Sequence, residues 1–311
     1  MPGKPGRDVN ELVRSLSLLP WVKSTHPLLY ELQDRCTPLE FADVLTRLDR
    51  FSSGMQRVVG DLHITKLLKQ APPEPYRQYN LREGVSFYSD PSVSPDRKCL
   101  LFIFGAAAGR PMTSRVSFVQ CLPASRYDIC FFWDTQKVSF ERGIAGYAED
   151  LPELAKKATL ELKAHRYRRL ATFGVSLGGL AALRFGIMVG AERAVCVGGR
   201  FNWHVGRLVK NRTTVPAFDL LCDCCPSGKT RLIYFHGEFN VLDAQHLARL
   251  RRTREVEARI VPGCDHNAVH PFLENGTLRE LLAELLEGEA GENASAPAPL
   301  ARAPLPPHML L

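Results

Sequence analysis

Ser176 lies within Gly174-Val175-Ser176-Leu177-Gly178-Gly179, a G-x-S-x-G arrangement. The bare pattern is cheap, arising by chance roughly 0.09 times in a chain of this length and glycine content, so its surroundings must decide its meaning. The apolar run Arg169–Phe173 leads into it as a strand, and Leu177-Gly-Gly-Leu-Ala-Ala-Leu-Arg-Phe leaves it with helical character. A strand that turns into a helix through a serine strains that serine's backbone and exposes its hydroxyl. Glycines two before and two after leave room for the strand and helix to approach. The helix start then aims N–H groups and partial positive charge at the reacting centre, so the Leu177 N–H is the expected first oxyanion donor.

A serine hydroxyl needs a base to become a nucleophile. When a serine turns from strand to helix in this way, the acid and the histidine follow it in sequence, after the last two strands. The run Val256–Val261 ends in Pro262-Gly263-Cys264-Asp265-His266-Asn267, just before the final helical stretch, and this placement singles out His266 among nine histidines. The acid is less clear. After Arg231–Phe235 comes His236-Gly237-Glu238-Phe239-Asn240-Val241-Leu242-Asp243. The slot three residues past the glycine holds Asn240, which could orient an imidazole but not stabilise imidazolium by charge. Asp243, in the first turn of the following helix, is preferred over Glu238. An N-capping role for Asp243 is the competing explanation.

The second oxyanion donor is expected in the loop after an early strand. Cys99–Phe104 runs into Gly105-Ala106-Ala107-Ala108-Gly109-Arg110, small residues that let backbone approach a carbonyl, and Ala106 is the expected donor. A plain glycine-bounded turn would look the same.

Three regions must position these groups. Residues 1–80 read as helical. Thr37-Pro38-Leu39-Glu40 has the form of a capping box with proline at the first helical position. Phe41, Val44, Leu45 and Leu48 then form one apolar stripe, and Met55, Val58, Val59 and Leu62 a second. Ala71-Pro72-Pro73-Glu74-Pro75 is a linker. Residues 84–287 alternate short apolar runs (Val85–Tyr88, Cys99–Phe104, Tyr127–Trp133, Arg169–Phe173, Arg193–Val197, Arg231–Phe235, Val256–Val261) with helical stretches around 147–165, 177–189, 243–252 and 269–287. That pattern predicts an α/β domain with a doubly wound, mostly parallel sheet. Segment 199–230 sits where such folds carry a lid, and its Arg200 and Trp203 are candidate substrate-binding residues. Residues 288–311 are Ala/Pro-rich without periodicity and read as a disordered tail.

Taken together, Gly105-Ala-Ala-Ala-Gly-Arg, Gly174-Val-Ser-Leu-Gly-Gly and Pro262-Gly-Cys-Asp-His-Asn make residues 84–287 resemble bacterial members of the α/β-hydrolase superfamily. The resemblance implies a Ser-acid-His triad and acyl-group chemistry through an acyl-enzyme, with no cofactor. Asn240 departs from the pattern, and the N-terminal helices and the tail lie outside it. Hydrolysis of a carboxylic ester, or of an amide or thioester, is the expected activity. Acyl transfer by the same triad and a non-catalytic binding or scaffolding role are the alternatives.

Composition narrows the rest. The chain has 311 residues, 45% of them hydrophobic, enough for a sizeable core. The longest apolar run, Cys99 to Gly109, is far short of the roughly 18 residues that span a bilayer. The opening residues lack the apolar region of a secretory signal. Nine cysteines are an odd number, which suits a reducing cytoplasm better than a disulfide framework. The glycosylation-like sites at Asn211, Asn275 and Asn293 are then accidental. Cys222-Asp-Cys224-Cys225 has no second C-x-x-C to complete a zinc site. Ser227-Gly228-Lys229-Thr230 lacks the first glycine and the following helix of a phosphate loop. Net charge is +7, from 29 arginines and 11 lysines against 33 acids, yet no nucleic-acid motif accompanies it. The expected partner is a small acyl substrate, neutral or anionic rather than cationic. The helical hairpin at 38–69 could join two copies or cover a sheet edge.

Overall fold

The computed structural model describes residues 8–18, 26–199, 230–252 and 254–288. Its centre is β3 (Cys99–Phe104), six residues that are all buried. Such a strand needs apolar cover on both faces, and period-two alternation divides its side chains between them. Leu101 and Ile103 share one apolar layer with Phe118 and Val119, and with Leu281 and Leu282. Leu100, Phe102 and Phe104 face the other layer, with Leu154 and Phe185.

Eight strands form the sheet: β1 (Arg77–Arg82), β2 (Val85–Ser89), β3, β4 (Tyr127–Phe132), β5 (Arg169–Val175), β6 (Arg193–Val197), β7 (Arg231–Gly237) and β8 (Glu257–Val261). Their order is β1-β2-β4-β3-β5-β6-β7-β8. β1 pairs antiparallel with β2 and β2 antiparallel with β4, while every later neighbour is parallel. The parallel strands therefore all deliver their carboxyl ends to one edge, where β3, β5, β6, β7 and β8 are followed by the loops that carry the site.

The helices are α1 (Val9–Leu18), α2 (His26–Arg35), α3 (Pro38–Thr46), α4 (Ser53–Asp61), α5 (His63–Gln70), α6 (Arg115–Gln120), α7 (Leu151–Glu161), α8 (Gly179–Val189), α9 (Val241–Leu250), α10 (His270–Glu274) and α11 (Leu278–Glu287). α6 and α11 cover one face of the sheet, and α7 and α8 the other.

The first five helices build a core of their own around Leu16, Leu32, Phe41, Met55 and Val59, joined to the rest through Val116 of α6. Thr37 starts α3 with a complete capping box: its Oγ1 accepts from the Glu40 N–H at 3.2 Å, and its own N–H donates to Glu40 Oε2 at 2.7 Å. The helices lie against α6, not along either edge strand of the sheet. The apolar stripe residues Phe41, Val44, Met55 and Val59 are fully buried within this chain.

Three features differ from the expectations. The helical reading of residues 1–80 ends at Gln70, because Arg77–Arg82 form β1. That edge strand is largely exposed, so it carries no apolar alternation to betray it. The six-residue α6 is likewise too short to show a period. Finally, the second helix of the 38–69 hairpin is broken at Leu62, whose extended backbone separates α4 from α5. Thr65 fastens the break by donating its hydroxyl to the Val59 carbonyl at 2.6 Å. The candidate lid residues 200–229, with Arg200 and Trp203, and the tail 289–311 lie outside the described residues.

Candidate active site

Ser176 stands at the carboxyl end of β5 with φ at 51°, in the left-handed region that a side chain rarely adopts. Holding a non-glycine residue there costs about 1–2 kcal/mol. The close packing that enforces it is visible at the motif glycines. A Cβ at Gly174 would collide with the Gly178 carbonyl and lie 2.6 Å from the Ala182 methyl, while one at Gly178 would lie 2.8 Å from the Gly105 carbonyl oxygen. The elbow is thus wedged between β3 and α8. A short 3-10 turn, Ser176–Gly178, passes directly into α8. Leu177 lies in this turn, among the amides that a helix start leaves without an internal acceptor.

His266 arrives on the loop after β8. Its Nε2 lies 3.1 Å from Ser176 Oγ, and its Nδ1 lies 3.0 Å from Asp243 Oδ2. Because a carboxylate only accepts, the pair places the ring proton on Nδ1 and leaves Nε2 to accept from the serine hydroxyl. The Asp243 side chain is 0% exposed and that of His266 23%, so the acid is sealed while the imidazole reaches the cleft.

The three acid candidates occupy distinct places. Asn240 is the N-cap of α9, its Oδ1 accepting from the Asp243 N–H at 3.1 Å. The cap therefore belongs to Asn240, and the Asp243 carboxylate in the first turn is turned towards His266. Glu238 accepts from the Gly263 N–H at 2.9 Å, tying down the β8 loop three residues before the histidine.

The loop after β3 corrects one expectation. The Ala106 N–H, expected as the second oxyanion donor, donates to the Arg110 carbonyl at 3.0 Å, and the Gly109 N–H donates back to the Ala106 carbonyl at 2.7 Å. Gly109 takes φ of 73°, so residues 106–110 close on themselves as a tight turn, a shape that small residues and a left-handed glycine favour. In this structure the Ala106 amide is spent inside its own loop.

Two glycines after β6 matter although no sequence motif includes them. Gly198 has φ of 54°, and a Cβ there would lie 2.8 Å from Asp243 Oδ2 and 3.0 Å from His266 Nδ1. Gly199 approaches Gly179 so closely that a Cβ on the latter would lie 2.6 Å from its Cα. The doublet Gly198-Gly199 at the end of a strand signals a turn, but nothing local ties it to residues 243 and 266.

A cleft of about 540 Å³ opens over Ser176 and His266. One wall is the β3 loop, with Ala106 and Arg110. The N-terminal helices also line it, through Tyr30 and Gln33 of α2 and through Asp61, Leu62 and His63 at the break between α4 and α5. The interruption at Leu62 thus lies at the edge of the same cleft. His63 also stands edge-on to His270 of α10, with ring centroids 6.0 Å apart. Burial, helped by Lys66 and His270, lowers the His63 pKa from its ordinary value.

The strand order, with parallel strands delivering an elbow serine, an acid and a histidine to one edge in that chain order, defines the α/β-hydrolase fold. No family profile matches the chain, and no curated protein matches it. Solved structures that resemble it include a 2,6-dihydroxy-pseudo-oxynicotine hydrolase (15% identity, 89% of this chain and 85% of that one, TM-score 0.48). Another is the S-formylglutathione hydrolase FrmB of Staphylococcus aureus (12% identity, 68% and 97%, TM-score 0.46). A third is a truncated carbohydrate esterase from gut microbiota (11% identity, 66% and 90%, TM-score 0.44). Likeness at this level says nothing of substrate.

Proposed function

We infer that the protein is a serine hydrolase that cleaves a carboxylic ester through an acyl-enzyme. The observation that carries this reading is the connected line from Ser176 Oγ through His266 to the buried Asp243, at 3.1 and 3.0 Å, with the serine held at positive φ. Ser176 attacks the ester carbonyl while His266 Nε2 takes its proton. Asp243 accepts from Nδ1–H, keeping the imidazole oriented and stabilising the imidazolium that forms. The Leu177 N–H faces the charge that develops on the carbonyl oxygen. The protonated His266 then gives its proton to the leaving alcohol. Water, deprotonated by the same imidazole, resolves the acyl-enzyme.

The preference for neutral or anionic acyl groups rests on the arginines at 200–212, which lie outside the described residues. In the cleft wall that is described, the charge of Arg110 is matched by Asp34. The six described cysteines are all free thiols, which supports a reducing compartment such as the cytoplasm.

The test is active-site labelling. A fluorophosphonate is expected to modify the wild-type chain at Ser176, and Ser176→Ala is expected to lose the label together with turnover of p-nitrophenyl acetate. Absence of labelling in the folded wild type would overturn the hydrolase reading in favour of a binding role.

A further inference from the structure

The N-terminal helices do more than wall the cleft: they hold the loop beside the nucleophile through one side chain. Arg110 ends the Gly105–Arg110 turn. Its Nε donates to both oxygens of Asp34 on α2, at 3.0 and 2.9 Å, and its Nη2 donates to Asp34 Oδ2 at 2.8 Å and to the Tyr30 carbonyl at 3.0 Å. The guanidinium also lies 4.4 Å from the centroid of the Tyr30 ring. The pair is partly buried, with side chains 20% and 26% exposed. A forked, partly desolvated contact of this kind is stronger and more directional than a surface ion pair. The same residue's carbonyl takes the Ala106 N–H, so Arg110 closes the turn with its backbone and anchors it to α2 with its side chain. At the other end, the Gly105 N–H donates to the Phe132 carbonyl at 3.0 Å.

We propose that Arg110 and Asp34 are positioning residues for the Ser176 site: the clamp fixes the 105–110 loop against the elbow, making the N-terminal helices part of the machinery. The proposal rests on the hydrolase reading above. Without the clamp, the loop keeps its Gly105 end, its own turn and the bond from Arg115 Nε to the Gly109 carbonyl at 3.1 Å, and its Arg110 end shifts away from the elbow. Misplacing one wall of a reacting centre by about 1 Å can cost on the order of 100-fold in rate, without loss of the fold. The Ser176–His266–Asp243 line does not pass through the clamp and stays intact.

The experiment compares full-length wild type with Asp34→Asn, which keeps the side chain's shape, and with Arg110→Lys, which keeps the charge but loses the fork. Asp43→Asn, removing an exposed pair with Arg47 at the end of α3, serves as control. Two readouts are taken: hydrogen exchange of the peptide covering the 105–110 loop, and the rate of fluorophosphonate labelling at Ser176, with kcat and KM for p-nitrophenyl acetate. The expected result is faster exchange in the loop and labelling slowed by about tenfold or more, with the loss in kcat and the melting temperature nearly unchanged. The control should match wild type. Unchanged loop exchange in both variants would overturn the clamp. Faster exchange with unchanged labelling would overturn its role at the site and leave it a fastening of the helices. A wild type that does not label at all would instead overturn the hydrolase reading, and the positioning role with it.

Discussion

At the scale of single residues, the site depends on what is missing as much as on what is present. Asp243 Oδ2 and His266 Nδ1 meet across the space that a side chain at position 198 would occupy. Gly198→Ala has two consequences. It must adopt a φ that costs an ordinary residue about 1–2 kcal/mol, and its methyl presses on the acid–histidine contact. We expect this substitution to lower hydrolysis by about 10-fold or more, while the melting temperature falls by only a few degrees. Steady-state kinetics beside a thermal melt reads both, and an unchanged rate would show that the pair has room to spare. The left-handed backbone at Ser176 follows the same logic, because Gly174 and Gly178 allow the packing that the strained serine requires.

Elements convert these residues into a site by fixing where each chain segment begins. α9 carries Asp243 in its first turn because Asn240 caps it. Asn240, three residues past Gly237, is the helix cap. It starts the helix that carries the carboxylate three residues later. Asn240→Ala should cost about 1 kcal/mol in stability and lower the rate by loosening Asp243, while Asn240→Ser, another good cap, should restore most of both. Chemical denaturation and ester turnover on the same samples check this, and an Ala variant as active and stable as wild type would contradict it. The β8 loop is fastened similarly. Glu238 accepts from the Gly263 N–H, and the Phe239 N–H donates to the Cys264 carbonyl at 2.9 Å, so the end of β7 holds the turn that delivers His266.

Across the whole molecule, the sheet gathers Ser176, Asp243 and His266 at one edge, and the N-terminal helices wall part of the cleft above them. That wall carries a pH response. Because burial lowers the His63 pKa below its ordinary 6.5, the unfolded chain binds a proton there more readily than the folded one. Stability is therefore full above about pH 6.5 and is lost as pH falls from there towards the lower folded-state pKa. The other groups facing this imidazole are Lys66 on its own helix, which adds to the effect together with His270, and Glu274, which opposes it. His63→Gln should flatten the difference in melting temperature between about pH 5 and about pH 7.5. An identical pH difference in the variant would show that His63 is not its source. Several of the 29 arginines are paired locally: Arg126 and Arg169 share Glu287, Arg231 and Arg259 share Glu257, and Arg279 meets Glu74.

Much of this is legible in the order of the residues alone. A doubly wound sheet leaves near-continuous apolar strands in the chain, and the apolar runs Cys99–Phe104 and Arg193–Val197 are strands with those same bounds. A strand-to-helix serine and a histidine after the last strand are local patterns, so position along the chain suffices to single out Ser176 and His266. The exposed strand β1 and the short α6 are not legible, because neither buries enough alternating side chains to leave a period. Nor can local pattern choose among Glu238, Asn240 and Asp243, which differ in direction rather than in type. That choice, the space at Gly198, the engagement of the Ala106 N–H and the approach of α2 to Arg110 depend on segments far apart in the chain meeting at distances of a few ångströms. Spacing in sequence does not encode such meetings; close packing between elements does.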